Sequence, residues 1–204
     1  MKKIIVFAFF PCSLFAQKRN IKYADSSFYE IDKNIWRAVL IQPMFPDYES
    51  NLILAGNYEY SFNKRVSLSS KMGVATSIKH FGPIDNRNQY SFHFFGIAEL
   101  KYYYSIKRRK KKFRPTINHS GCYFALEQNI ISNPIALINQ TEINALKGSS
   151  NFYFNIGYQR QYNRFYINGF LGVQLWNVGL SQYSPNTYGL NGGLHGGVSI
   201  GYVF

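Results

Sequence analysis

The stretch LNGGLHGGVSIGYVF, residues 190–204, alternates strictly between two kinds of side chain. One set of alternate positions is mostly apolar, and the positions between them carry mainly glycine or polar residues. Because successive side chains of a strand point to opposite faces of a sheet, a period of two predicts a β-strand with one apolar face. The apolar set is Leu190, Gly192, Leu194, Gly196, Val198, Ile200, Tyr202 and Phe204.

The same alternation recurs upstream. Candidate strands lie at residues 35–42, 52–62, 66–78, 90–104, 122–129, 152–162 and 165–176. The first is the least regular, because Ile35, Val39 and Ile41 share a face with Arg37. Connections at 63–65 and 163–164 are very short, whereas those at 43–51, 79–89, 132–150 and 181–189 are longer. The link 106–119 is long although it falls at the end with the short turns.

Short connections at one end and long ones at the other are typical of transmembrane β-barrels. The fold prediction is therefore all-β, an eight-stranded antiparallel up-and-down transmembrane β-barrel. The candidate strands mostly reach the roughly 9–11 residues that a tilted strand needs to cross a membrane. The polar set is rich in Gly, Ser, Asn and Gln, which suits an interior better than a water-facing wall. A soluble exported barrel that binds a small hydrophobic ligand has the same period and is the architectural alternative.

The N-terminus has the pattern of an export signal. Lys2 and Lys3 precede an apolar run, and the small residue Ala16 precedes a polar segment. This order predicts a secretory signal peptide at 1–16, a polar periplasmic lead at 17–34 and the barrel at 35–204. A short anchor helix and a lipoprotein acylated at Cys12 are the alternatives, and both fit Pro11 poorly. The mature chain then keeps a single cysteine, so no intramolecular disulfide is expected.

Charge and aromatic content are both high. The 204 residues include 23 Lys and Arg against 10 Asp and Glu, a formal net charge of +13, and 18% are aromatic. One segment is the most basic: Lys107, Arg108, Arg109, Lys110, Lys111, Lys112 and Arg114. Such a run is typical of nucleic-acid binding, but the export signal argues against a nucleic-acid partner. We interpret it as a solvated periplasmic turn, with contact to anionic phospholipid head groups as the sharper hypothesis.

The aromatic residues gather where four predicted strands end on one side. Tyrosine favours a membrane interface, because its ring is apolar and its hydroxyl group requires a polar partner. We therefore predict an interfacial belt, with core packing of these tyrosines as the alternative. The belt comprises Tyr58, Tyr60, Phe62, Tyr102, Tyr104, Tyr158, Tyr162, Tyr202 and Phe204.

The inward set carries a group of ionisable residues. They are Arg37, Glu59, Lys71, His93, Glu99, Lys101, Glu127 and His195. Eight strands leave an interior just wide enough for side chains, and buried charges must pair to avoid a large desolvation cost. We predict a structural polar network that fills the lumen, with a gated ion path as the alternative. Inward glycines, such as Gly157 and Gly172, leave room for Tyr103, Tyr123 and Tyr153.

No catalytic machinery is recognisable. A lipid-modifying enzyme of this architecture would need serine and histidine on the lipid-accessible surface, whereas His93 and His195 fall on the inward set, and His80 and His119 fall in connections. The one G-x-S-x-G match, Gly197-Val198-Ser199-Ile200-Gly201, lies within the alternating last strand with no helix after it, so it is not a nucleophile elbow. No Cys/His spacing suits zinc. The prediction is a protein that is not an enzyme, with no cofactor and no metal.

The chain ends with Gly201-Tyr202-Val203-Phe204, an aromatic residue closing an alternating strand. Together with the export signal and eight strands, this end resembles that of the small outer-membrane β-barrels of Gram-negative bacteria, of the OmpA/OmpX type, over residues 35–204. The resemblance implies residence in the outer membrane, contact with its lipids, and recognition of the C-terminal strand by the barrel-insertion machinery. It implies no particular activity. We expect a structural or surface-interaction role through extracellular loops whose partner the sequence does not identify; a narrow porin-like pore and a lipid-modifying enzyme are the alternatives.

Overall fold

The structure, a computed structural model, describes residues 31–43, 49–80, 88–138, 149–179 and 193–204. The strands are β1 (Asn34–Pro43), β2 (Glu49–Ser61), β3 (Val66–His80), β4 (Asn88–Tyr102), β5 (Gly121–Ile138), β6 (Ser149–Tyr162), β7 (Phe165–Gly179) and β8 (Leu194–Val203). A short helix, α1 (Ile106–Lys111), and a 3₁₀ turn (Ile117–His119) lie between β4 and β5. The predicted signal peptide lies outside the described residues, as does most of the predicted lead.

The strands close into a barrel. Each strand pairs antiparallel with the next, and β1 pairs with β8, which gives the order β1-β2-β3-β4-β5-β6-β7-β8. The closing pair places Arg37 opposite Val203 and Ile41 opposite Ser199. Closure satisfies the backbone groups that an edge strand would leave unpaired. The prediction of eight antiparallel up-and-down strands is confirmed.

The two ends of the barrel differ in their connections. The β2–β3, β4–β5 and β6–β7 links lie at one end, together with the start of β1 and the end of β8. We call this the short-connection end. The links at the opposite end lie largely at 44–48, 81–87, 139–148 and 180–192, outside the described residues, and the four predicted external loops fall there. No helix in the described part of the chain has the length and apolar character needed to cross a membrane.

The outer wall is mainly apolar wherever the structure describes its side chains. Met72 and Leu54 are 71% and 65% exposed, and their neighbours on the strands point inward and are largely buried. The exposed outward side chains include Trp36, Leu40, Leu52, Leu68, Val74, Phe94, Leu100, Leu126, Ile130, Ile156, Ile167, Leu171, Val173 and Ile200. The alternation therefore sorts the chain as predicted, with the larger apolar residues outside.

The interior is only partly polar, which corrects the expectation of a small or polar inward face. One inner region holds a buried apolar cluster to which β1 contributes Ile35, Val39 and Ile41. The other members are Ile53, Ala55, Ala75, Phe95, Ile97, Tyr166 and Val203. The ambiguous first strand thus places its aliphatic residues inside beside Arg37, and Trp36 outside.

Bulges change the faces near the opposite end. In the β6–β7 pair the partner of Phe152 is Trp176, whereas the partner of Tyr153 is Gln174, so Leu175 is the extra residue. Beyond this point the alternation shifts by one residue, and Trp176 lies outside. In the β4–β5 pair the register shifts on both sides of His93. Strand β5 then continues to Ile138, so the predicted loop 132–150 is shorter than the sequence suggested.

Candidate functional site

The first centre of the lumen is the carboxylate of Glu59. Arg37 donates to it from Nη1 at 2.5 Å, and Ser67 and Tyr103 donate to its other oxygen at 2.6 and 2.8 Å. All four side chains are buried. The Tyr103 hydroxyl also lies 3.1 Å from the amide oxygen of Gln159. Four strands and the segment after β4 therefore meet at one buried charge.

The second centre is Glu99, which is shared by two lysines. Its Oε2 atom lies 2.7 Å from Nζ of Lys71 and 3.1 Å from Nζ of Lys101, and Ser69 donates to the same atom at 2.8 Å. All of these residues lie on β3 and β4. The pairing of these two strands places Ser69 directly opposite Glu99, so local register builds this centre.

The third centre, Glu127 on β5, lies beside a less buried histidine. Asn155 of β6 donates to Oε2 of Glu127, and Nε2 of His195 lies 3.3 Å from Oε1. The His195 ring stacks on Tyr153 with a centroid distance of 4.0 Å. The side chain of His195 is 18% exposed, in contrast to its partner at 1%.

The charges inside the described lumen balance. It holds three carboxylates, those of Glu59, Glu99 and Glu127, and three cations, Arg37, Lys71 and Lys101. The cations also lie on aromatic rings: the Arg37 guanidinium is 4.5 Å from the Tyr166 ring centre, and Lys101 Nζ is 5.3 Å from that of Tyr123. A cation over an aromatic face is stabilised without a further counter-charge. Counted with neutral histidines, the described lumen therefore has no formal net charge, and it is densely filled.

Tight packing accompanies this pairing. A side chain at Gly157 would overlap the ring of Tyr123, and one at Gly172 would overlap Asn155. Tyr123 in turn donates to Asn168 at 2.8 Å. The expectation that glycines leave room for inward tyrosines holds for the Gly157–Tyr123 contact.

The eight predicted lumen residues do not form one cluster. All eight lie on the inner side, and the three carboxylates gather Arg37, Lys71, Lys101 and His195. His93 is separate: Ser91 lies 2.9 Å from its Nε2, and the Ser132 carbonyl lies 3.0 Å from its Nδ1. Its position at the β4–β5 bulge explains both contacts, since the bulge brings Ser132 within reach.

Sequence reasoning missed a plug formed by residues 116–120. Thr116, Asn118, His119 and Ser120 are buried. Asn118 and His119 both have a positive φ, of 43° and 62°, a backbone conformation that turns the segment sharply. Gln159 donates to the Asn118 carbonyl at 3.1 Å, and the Gln161 backbone donates to the Ser120 hydroxyl at 2.9 Å. The connection therefore folds back into the barrel and closes its short-connection end.

His119 is the centre of the plug. Its ring stacks on Tyr103 with 4.5 Å between centroids, and its Nε2 lies 2.8 Å from the Ser61 hydroxyl. That hydroxyl donates to the Asp32 carbonyl, so His119 must supply the Nε2 proton. Burial lowers the pKa of His119 to about 4, even though Glu59 lies near enough to favour the charged form. A neutral imidazole with its proton on Nε2 is the form that this site accommodates.

The predicted basic turn folds as α1 and the loop after it. Ile106 is buried against Tyr103 and Tyr123. Arg109 bonds the Pro115 carbonyl through two nitrogens, at 3.1 and 2.8 Å, which fixes the start of the plug. Lys107, Arg108, Lys111, Lys112 and Arg114 are exposed. The segment thus has both an anchoring role and an exposed basic surface.

The nine predicted belt residues are on the outer surface at the short-connection end. Tyr58, Tyr60 and Tyr158 are half-buried and the other six are exposed. Neighbouring rings contact each other: Trp36 with Tyr58 at 4.5 Å, and Tyr104 with Phe124 at 4.7 Å between centroids. The alternative of core packing does not describe these tyrosines.

The residues described by the structure contain no group of three or more His, Cys, Asp or Glu side chains placed to hold a metal ion. The chain matches no protein-family model and no curated protein.

Removing one member of the Arg37–Glu59 pair should be more damaging than removing both charges. R37M or E59Q leaves one buried charge without its partner, which costs about 3–5 kcal/mol in the free energy of unfolding. In R37M/E59Q the new amide oxygen still accepts from Ser67 and Tyr103, so the double variant should lose less than either single one. Urea unfolding followed by tryptophan fluorescence measures this. The exposed turn variant K64M is the control, expected to change stability by no more than about 0.5 kcal/mol; additive losses in the double variant would contradict the coupling.

The low pKa of His119 predicts acid sensitivity of folding. The unfolded chain takes up a proton near pH 6.5, whereas the folded site resists it until about pH 4. The contribution of His119 is fully present above pH 6.5 and is lost as the pH falls towards 4, by at most about 3 kcal/mol. H119Q keeps a hydrogen-bonding group and should flatten this part of the curve of unfolding free energy against pH. An unchanged slope in H119Q would show that other groups cause it.

Proposed function

We propose that this protein is an outer-membrane β-barrel that acts as a static anchor, presenting its loops at one surface with a lumen closed to solute. One observation supports this most: over the side chains that the structure describes, the outer wall is mainly apolar, while the buried charged residues face the lumen. A water-soluble protein rarely exposes a continuous apolar patch above a few hundred Å², because such a surface associates with other molecules. In a bilayer the apolar wall contacts lipid chains instead of water, so it does not drive such association.

The aromatic belt supports the same assignment. Tyr102, Tyr104, Tyr162 and Tyr202 point outward where the apolar wall meets the short-connection end. Tyrosines at this level suit the boundary between hydrocarbon and head groups. The predicted export signal and the C-terminal alternating strand fit delivery to an outer membrane, with the short-connection end on the periplasmic side.

The filled lumen favours the anchor over a pore. Tyr103, Tyr123 and Tyr166 are buried across the interior, and the plug closes one end. Ions moving through would have to separate charge pairs that lie about as close as hydrogen bonds allow. The enzyme alternative has no support in the geometry of the described residues, where the inward histidines contact structural partners. The surface-interaction role of the loops stays a prediction, since the loops lie outside those residues.

A charge placed on the outer wall tests membrane residence. Met72 is near the middle of β3, and M72R should cost about 2–4 kcal/mol in a bilayer, because arginine at the midplane is poorly solvated. Phe62 lies at the belt level, so the control F62R should cost about 0–1 kcal/mol. Urea titration of the protein folded in lipid vesicles gives both values. In a soluble barrel both variants would be tolerated equally, which would overturn the proposal.

Planar-bilayer recording tests the closed lumen. We expect the folded protein to insert and to show no steady single-channel conductance, because buried tyrosines and ion pairs fill the described part of the interior. Membrane fractionation of cells that express the protein supplies the matching test of location. Reproducible unitary currents would favour the narrow pore, and an altered lipid A mass in those cells would favour the enzyme.

A further inference from the structure

Basic side chains accompany the belt tyrosines. Arg65 donates from Nη1 to the Tyr102 hydroxyl at 3.3 Å, and Arg164 donates to the Tyr202 hydroxyl at 2.8 Å. Two further pairs are cation–π contacts: Arg160 lies 4.1 Å from the ring centre of Tyr162, and Lys33 lies 5.5 Å from that of Tyr60. The same arrangement thus occurs independently on several strands.

These pairs encircle the barrel. Lys33 and Tyr60 lie at the β1–β2 pair, Arg65 and Tyr102 at β3–β4, and the arginines 160 and 164 flank the β6–β7 turn. The remaining arc, between β4 and β5, is occupied by α1 and the exposed cations at residues 107–114. We call the four paired cations and residues 107–114 the basic collar.

Acidic residues are scarce at this level. Of the ten acidic residues in the chain, three are sealed inside the lumen. Asp32 is the one acidic side chain that the structure describes at the short-connection end. The balanced lumen contributes no net charge, so the collar holds a concentrated excess of positive charge beside the apolar wall.

The geometry leaves donors available. A guanidinium has five N–H groups, and Arg65 and Arg164 each give one to a tyrosine hydroxyl. That bond holds the guanidinium at the level of the ring, where a lipid phosphate would lie. Arginine matches phosphate with two parallel hydrogen bonds, whereas the lysines of α1 act as point charges on flexible stems.

We propose that the basic collar binds the head groups of anionic phospholipids in the leaflet at the short-connection end. This rests on the proposed membrane residence and adds a lipid class and a leaflet to it. A ring around an apolar wall fits a shell of lipids, each meeting one or two cations. A nucleic acid would instead require the cations to follow one continuous groove, and the collar surrounds a surface that faces hydrocarbon.

The test uses the full folded chain in nanodiscs of phosphatidylcholine and phosphatidylglycerol. The protein is extracted gently, and the ratio of the two lipids that remain bound is measured by quantitative mass spectrometry. Each cation near an anionic surface contributes about 1 kcal/mol, roughly a fivefold preference at a single site. We expect phosphatidylglycerol to be enriched over the bulk ratio, and the enrichment to fall as ionic strength rises.

Two variants locate the effect. R65Q/R160Q/R164Q removes the paired arginines, and K107Q/R108Q/K111Q/K112Q/R114Q removes the exposed cations beside them. Each should lose about half of the enrichment or more. K79Q/R87Q/K147Q is the matched control for the first variant, because it removes the same charge from positions that border the opposite connections in the chain; it should keep the native ratio.

The outcomes separate this inference from the membrane assignment. Heat-dependent gel mobility reports insertion of every variant. If the native protein inserts but shows no preference, or if the control loses as much enrichment as the collar variants, the collar proposal is wrong and membrane residence stands. Binding of a DNA oligonucleotide without any lipid preference would also overturn it. If the native chain fails to insert into the bilayer, both the collar proposal and the proposed membrane residence are wrong.

Discussion

The structure depends on the requirement that every charge buried away from water has an ion-pair or hydrogen-bond partner. Strand alternation places Glu59, Glu99 and Glu127 inside a barrel too narrow for bulk water, and each acquires a cation or amide partner from a neighbouring strand. The partners come from residues far apart in sequence, so pairing is complete only when the strands are in register. The polar network therefore favours the native register, since a slip of one residue in any of these strands would move that strand's ionisable side chains to the outer wall.

The plug follows from the same requirement. Glu59 and the hydroxyl of Tyr103 lie where the lumen opens towards the short-connection end, and an open mouth would let water compete for them. His119 stacks on Tyr103, and Asn118 takes a hydrogen bond from Gln159. The connection after β4 is long because it must reach back to this point. The plug therefore explains why this link is longer than the other turns at the short-connection end.

The sequence predicted those features that depend on neighbouring residues of the same strand. Alternation predicted the strands, their number and the outer face, because the period of two is a property of each strand alone. Alternation did not predict features that depend on contacts with residues distant in the sequence. Nothing in residues 35–42 states that Ile35 and Val39 face an apolar region of the lumen, since that depends on Ile53 and Phe95 of other strands. The sequence places His119 in a connection between strands, where an exposed side chain is expected. Its burial depends on contacts with β2 and with Tyr103, just after β4. The bulge at Leu175 is likewise visible only in the pairing with β6.

The positive charge of the chain is distributed unevenly along the barrel axis. A formal +13 is an average over the chain, yet the described lumen is neutral and the outer wall is apolar. Much of the excess therefore lies at the end that carries α1, with tyrosine hydroxyls and rings holding several of the cations in place. A barrel with such an end is electrically polar along its axis. In a bilayer it would have one favoured orientation relative to an anionic leaflet, set by the same residues that mark the boundary of its apolar wall.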